Sequence, residues 1–257
     1  MRRRNSVLIL GSALSALDCK EWSRDMLRAR YTHVVAVNNA WQIRPDWDVS
    51  IFPEDFPPER RPQTLTPSQR CVEAREFVRA NNLFGGVFYA GGTMAFTAGY
   101  WALHALRPFH IAYLGCDMLY DPAPDAMTHF YGRGHADPLR DDPSLRNLEA
   151  KSARLWLHAA KAGCDVRRLS TGPSRLTFPC DLVGAPTPQF DAARFDALKA
   201  REKALGYHVR SGRYWETASG FDLAEIDALD ADWLAALEAK TAAKAPSPSS
   251  SPASSPA

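Results

Sequence analysis

Three features that would narrow the chain's class at once are missing: paired cysteines, a dominant charge sign and a long apolar run. The five cysteines (Cys19, Cys71, Cys116, Cys164 and Cys180) are odd in number and scattered, and none forms a C-x-x-C pair. This spacing argues against a disulfide framework and against a zinc site built from ligand pairs, and it fits reduced thiols in a cytosolic protein. With 31 basic and 29 acidic side chains the formal net charge is only +2, so no whole-molecule field draws the protein to nucleic acid or anionic lipid. Any basic site must be local. No apolar stretch reaches the roughly 20 residues of a transmembrane helix.

What is present is a soluble globular composition, 46% hydrophobic and 23% charged over 257 residues. The first nineteen residues, MRRRNSVLILGSALSALDC, set three arginines ahead of an apolar run, as an export signal does. Here Gly11 and Ser12 break the apolar run after Leu10, and Asp18 stands where a small residue would precede a cleavage site. The stretch reads better as a buried strand opening into a small-residue loop, with a cytoplasmic location as the expectation.

Similar β-rich runs recur at Val7–Leu10, His33–Val37, Val49–Phe52, Val87–Tyr89, His110–Leu114 and Asp165–Leu169. Helix-length segments separate them, as in a parallel sheet covered on both faces. Asp18 followed by Glu21 resembles a capping box and predicts a helix through Arg28; Thr93–Leu106 predicts a buried helix stopped by Pro108. Ser144–Ala162 places Leu145, Leu148, Ser152, Leu155 and Ala159 on one helical face. Phe190–Leu205 and Leu223–Ala243 are helix candidates. The expected class is α/β, a Rossmann-like doubly wound, mostly parallel sheet with a small helical C-terminal region. The expected organisation is a nucleotide-binding domain over 1–185, the helical region over 186–243 and a disordered Ala/Ser/Pro tail over 244–257.

In such a sheet the ligand lies beyond the carboxyl ends of the strands, which directs attention to the residues that follow each one. Gly11-Ser12-Ala-Leu-Ser15 offers small residues and hydroxyls for a phosphate, or a tight strand-to-helix turn. Asn38 offers a paired donor and acceptor for a base or ribose, or a left-handed turn. Phe52-Pro-Glu-Asp55 adds polar groups at a third strand end, and Gly91-Gly92-Thr93 places glycines and a hydroxyl before a helix. Asp117 and Tyr120 follow the fifth apolar run, and the loop Thr128–His135 carries His129, Arg133 and His135. His129 is the preferred general base because an imidazole titrates near neutrality; a packed loop histidine is the alternative.

Asp46-Trp-Asp48 has the Asp-x-Asp form that can hold a divalent ion, although it precedes a strand and fits a turn better. Asp141-Asp142 reads as a helix N-terminal charge pair, and Arg133, Arg140 and Lys151 as phosphate ligands or solvated surface charges. No metal site is expected.

Taken in order, VLILGSALS (7–15), Val37-Asn38, Gly91-Gly-Thr93, Leu114-Gly-Cys-Asp117 with Tyr120, His129-Phe-Tyr131 and STGPSRL (170–176) resemble the successive motifs of the glycosyltransferase family 42 sialyltransferases, over residues 5–180. The resemblance implies a Rossmann-like domain that uses CMP-sialic acid without a metal and without a further cofactor. It implies that Gly11 and Ser12 line the nucleotide, beside the hydroxyl of Ser15, that Asn38 contacts nucleotide or sugar, and that Gly92 and Thr93 approach the cytidine. By the same resemblance Asp117 belongs to the nucleotide site, Pro173 and Ser174 complete the pocket, Tyr120 bonds the leaving phosphate and His129 is the base. The partners implied are a nucleotide-sugar and a glycan or other hydroxyl acceptor.

Pro45-Asp46, Gly92-Thr93 and Gly115-Cys-Asp117 are also similar to the domain-of-unknown-function 115 group, which includes hydroxymethylpterin diphosphokinase-like proteins. That second resemblance implies ATP and magnesium, with Asp117 or Asp48 as ion ligands. A non-catalytic nucleotide-binding or assembly protein is the third reading.

Overall fold

The computed structural model describes residues 4–119, 127–132, 142–181 and 190–238. Six strands, β1 (Ser6–Leu10), β2 (His33–Val37), β3 (Val49–Ile51), β4 (Arg70–Val72), β5 (His110–Leu114) and β6 (Asp165–Arg168), form one sheet. Its order is β4-β3-β2-β1-β5-β6 and every pairing is parallel. The chain steps outward from β1 to β4 and returns to β5 on the other side of β1. The strand order therefore reverses between β1 and β5, and a crevice opens there at the carboxyl edge.

The helices are α1 (Arg24–Arg30), α2 (Ala74–Asn82), α3 (Val87–Ala90), α4 (Met94–Ala105), α5 (Leu148–Lys161), α6 (Ala192–Leu205) and α7 (Leu223–Glu238). Because side chains alternate along a strand, β1 sends Val7 and Ile9 to one face and Leu8 and Leu10 to the other. The first face meets α4 and α5, and side chains of α6 and α7, among them Phe195, Leu198, Leu229 and Trp233, join the same apolar cluster. The second face is covered by the 3-10 segment Leu14–Glu21, by α1 and by the turn Asn38–Gln42. The α/β class, with a Rossmann-like parallel sheet and helices on both sides, is thus as expected. No helix among the described residues is long and apolar enough to cross a membrane.

Several local expectations are corrected. Val87–Tyr89 is not a strand but the short helix α3, bounded by Gly86 at φ 95° and Gly91 at φ 86°, which turn the chain out of extended geometry on both sides. The remaining strand is β4, a three-residue edge strand paired through β3. The Asp18 box does not start a helix. Leu14–Glu21 is 3-10, and α1 begins after Ser23, whose hydroxyl accepts the Met26 N–H at 3.1 Å.

Before α5, Pro143–Leu145 forms a separate 3-10 turn in which Asp142 accepts the Ser144 N–H, and Asn147 caps the helix itself. Lys151 is neither a phosphate ligand nor a surface charge. Its Nζ is buried 2.7 Å from Asp230 of α7, one of the contacts that fasten the C-terminal helices to α5. Asp46 and Asp48 lie at the amino end of β3 and are held by Arg44 and Arg28, away from the ligand edge. Tyr120, Arg133, His135, Arg140, Asp141 and the tail 244–257 lie outside the described residues.

Candidate functional site at the carboxyl edge of the sheet

A cavity of about 920 Å³ opens where β1, β2 and β5 end. Its wall collects Gly11, Ser12, Asn38, Gly92, Thr93 and His129, six of the residues singled out from sequence. The volume falls within the range of small-molecule and cofactor pockets.

The loops that build the wall cross at very short range. The Gly11 N–H donates to the Leu114 carbonyl at 2.8 Å and the Ala13 N–H to the Gly115 carbonyl at 2.9 Å. A Cβ on Gly11 would lie 2.2 Å from the Gly115 oxygen, and one on Gly115 would lie 2.4 Å from the Ala16 Cβ. These glycines are therefore required by the contact between the two loops, whatever the cavity holds. Gly92 is similar: its N–H donates to Ser144 Oγ at 3.0 Å, and a Cβ there would lie 2.4 Å from the Tyr214 hydroxyl.

Beneath the floor, Asp117 is fixed rather than facing the cavity. Ser15 Oγ donates to its Oδ2 at 2.5 Å and Ser170 Oγ donates to its Oδ1. Ser15 and Asp117 thus brace the first loop against the fifth strand end. Pro173 is exposed and Ser174 Oγ accepts the Leu176 N–H at 3.1 Å, and neither lines the cavity.

Two polar features mark this wall. The N-terminus of α4 opens onto the cavity through Thr93, Met94 and Ala95. Thr93 caps the Phe96 N–H, and the positive end of the helix dipole is directed at the space where a phosphate would sit. Asn38 holds φ at 53°, and its carboxamide oxygen is buried without a hydrogen-bond partner. The left-handed turn is thus present, at a residue that also lines the cavity. An enclosed, unpartnered acceptor is costly to folding.

His129 reaches the edge because its neighbour is docked. The Phe130 N–H donates to the Ser12 carbonyl at 3.0 Å, the Phe130 ring packs on the second apolar cluster, and Gly132 closes a tight turn back to the His129 carbonyl. The imidazole stacks on Tyr131 at 5.0 Å, and its Nδ1 is 2.7 Å from Thr128 Oγ1. Burial holds its pKa below the ordinary value, which favours the neutral ring. Cys116 also lines the cavity, but burial pushes its thiol up, which keeps it protonated and unreactive.

The sequence reading missed the opposite wall. Residues Ser211–Glu216, between α6 and α7, come over the cavity and contribute Arg213, Tyr214, Trp215 and Glu216. Tyr214 is buried, with its hydroxyl donating to Asp142 Oδ2 at 2.7 Å and 2.9 Å from Ser144 Oγ. The signal available in the sequence was the cluster Arg213-Tyr-Trp-Glu216, two adjacent aromatics between charges in the connection of two helices. No family model, curated protein or solved structure matches the chain.

Proposed function

We propose that the chain is an inverting glycosyltransferase that moves a sugar from a CMP-activated donor to an acceptor hydroxyl. The observation that carries the reading is the meeting, in one cavity at the strand-order reversal, of the α4 N-terminus, Asn38 and a neutral His129. The choice of CMP and of sialic acid as the first donor to try comes from the motif resemblance.

In this reaction the donor phosphate lies at the α4 N-terminus, where the helix dipole stabilises the charge that grows as CMP departs. With Nδ1 protonated and donating to Thr128, the His129 Nε2 lone pair takes the proton of the acceptor hydroxyl. The acceptor oxygen forms its bond to the anomeric carbon while the carbon–oxygen bond to phosphate breaks, its electron pair leaving with CMP. General-base catalysis of this kind contributes about 10²–10⁴-fold. A His129→Ala variant is therefore expected to bind CMP as the parent does and to lose transfer from CMP-sialic acid by about that factor. Unchanged turnover would remove His129 from the mechanism.

A further inference from the structure

Away from β1 and β5, the wall of the cavity is made where the Ser211–Glu216 segment meets Glu54, on the loop after β3. The segment is firmly seated. Tyr214 is anchored on Asp142 and Ser144, and Gly212, at φ 79°, packs so closely that a Cβ there would lie 2.9 Å from Val78 Cγ2. From this seat Trp215 lines the cavity while remaining 61% exposed, its ring edge-on to Tyr214 at 5.5 Å. A large apolar ring held in water on an anchored segment inside a concavity is a surface that awaits a partner.

The same part of the wall carries groups that both donate and accept. Arg213 Nη2 lies 3.0 Å from both carboxylate oxygens of Glu54, and its Nη1 lies 4.0 Å from Glu216. Arg213 and Glu54 already bond each other, and all three side chains are still in contact with water; a hydrocarbon ligand would strip that water and return no hydrogen bond. A sugar ring satisfies both parts, with its C–H face on the indole and its hydroxyls to the carboxylates and the guanidinium.

We infer that this end of the cavity is a carbohydrate subsite, with Trp215 as the stacking platform and Glu54, Arg213 and Glu216 as the hydroxyl ligands. It receives the acceptor of the transfer reaction, and in that respect it rests on the function proposed above.

The test uses the full chain and its Trp215→Ala and Trp215→Phe variants, which leave the buried anchors intact. Lactose, cellobiose and maltose serve as probes by saturation-transfer NMR, and CMP affinity is measured in parallel by calorimetry. The expected result is saturation of ring C–H protons in at least one disaccharide, with affinity at least tenfold weaker in Trp215→Ala and largely kept in Trp215→Phe. CMP affinity should stay within twofold throughout. A parent that binds no disaccharide, or a Trp215→Ala variant that binds as well as the parent, overturns the subsite. A tenfold loss of CMP affinity in Trp215→Ala also overturns it, since Trp215 would then be a platform for the base. Trp-dependent disaccharide binding with no CMP binding by the parent supports the subsite and refutes the glycosyltransferase reading.

Discussion

Replacing Asn38 with glycine should make the protein more stable and a poorer ligand binder at the same time. The native residue holds φ at 53°, a left-handed conformation that glycine adopts freely, and its buried carboxamide oxygen has no hydrogen-bond partner. Relief of the left-handed strain is worth about 1 kcal/mol, somewhat less for asparagine than for other residues. Removal of the unpartnered acceptor is worth about 1–3 kcal/mol. Against these stand about 1 kcal/mol for the extra freedom of glycine in the unfolded chain and the lost contacts of the side chain. The net expectation is a gain of about 1 kcal/mol, roughly 2–4 °C in Tm for a chain of this size. Asn38→Ala keeps the strained dihedral and should fall about 1 kcal/mol below Asn38→Gly. Denaturant melts give the stabilities, and calorimetric titration with CMP gives the affinity, which should drop at least tenfold in both variants. A glycine variant destabilised by more than about 1 kcal/mol would refute the argument from the unpartnered oxygen. Unchanged CMP affinity would refute the role of the amide in binding.

Other consequences follow from the same geometry. Because burial lowers the His129 pKa, the base stays unprotonated as pH falls through 6.5, so the acid limb of kcat/KM should lie below pH 6.5, and a limb at or above it contradicts the assignment. Arg154 Nη2 lies 2.9 Å from Glu202 Oε2 with both side chains buried, so Glu202→Gln, which leaves the Arg154 and Lys199 charges uncompensated, should cost about 3–5 kcal/mol at pH 7 in a urea melt. Burial alone would raise the Glu202 carboxyl, but Arg154 and Lys199 outweigh it and hold it below 4.5. Its stabilisation is present above that value and lost as pH falls through the depressed one, so the penalty should shrink in acid. Gly92→Ala drives a Cβ to within 2.4 Å of the Tyr214 hydroxyl and should destabilise by about 1–3 kcal/mol. Tyr214→Phe in that background should be less than additive, and strict additivity would show that the two groups do not clash.

The parallel sheet was legible because its long strands are nearly continuous apolar runs: VLIL, HVVAV and HIAYL are buried on both faces, and each carries β-branched residues. The gathering of cavity residues at the carboxyl edge was legible for the same reason, since once those strands are placed the polar residues after them must share one side. What escaped depends on partners distant in sequence. The strand β4 is three residues long, begins with an exposed arginine and is defined only by its register against β3. Lys151 looks like a surface charge until Asp230 of α7 is brought against it. The glycines at 11 and 92 suggest room for a ligand, whereas the atoms they make room for are the Gly115 carbonyl and the Tyr214 hydroxyl. The Arg213–Glu216 wall reaches the cavity only because α6 and α7 fold back onto α5, which local periodicity does not encode.

The central claim, a CMP-type nucleotide site at the β1/β5 reversal, is tested most directly by thermal melts of the full chain across a panel of CMP, UDP, GDP and ATP with magnesium. At a hundred times its dissociation constant CMP should add about 2.7 kcal/mol, roughly 5–11 °C in Tm. A shift with ATP and magnesium alone, or no shift with any nucleotide, would contradict it.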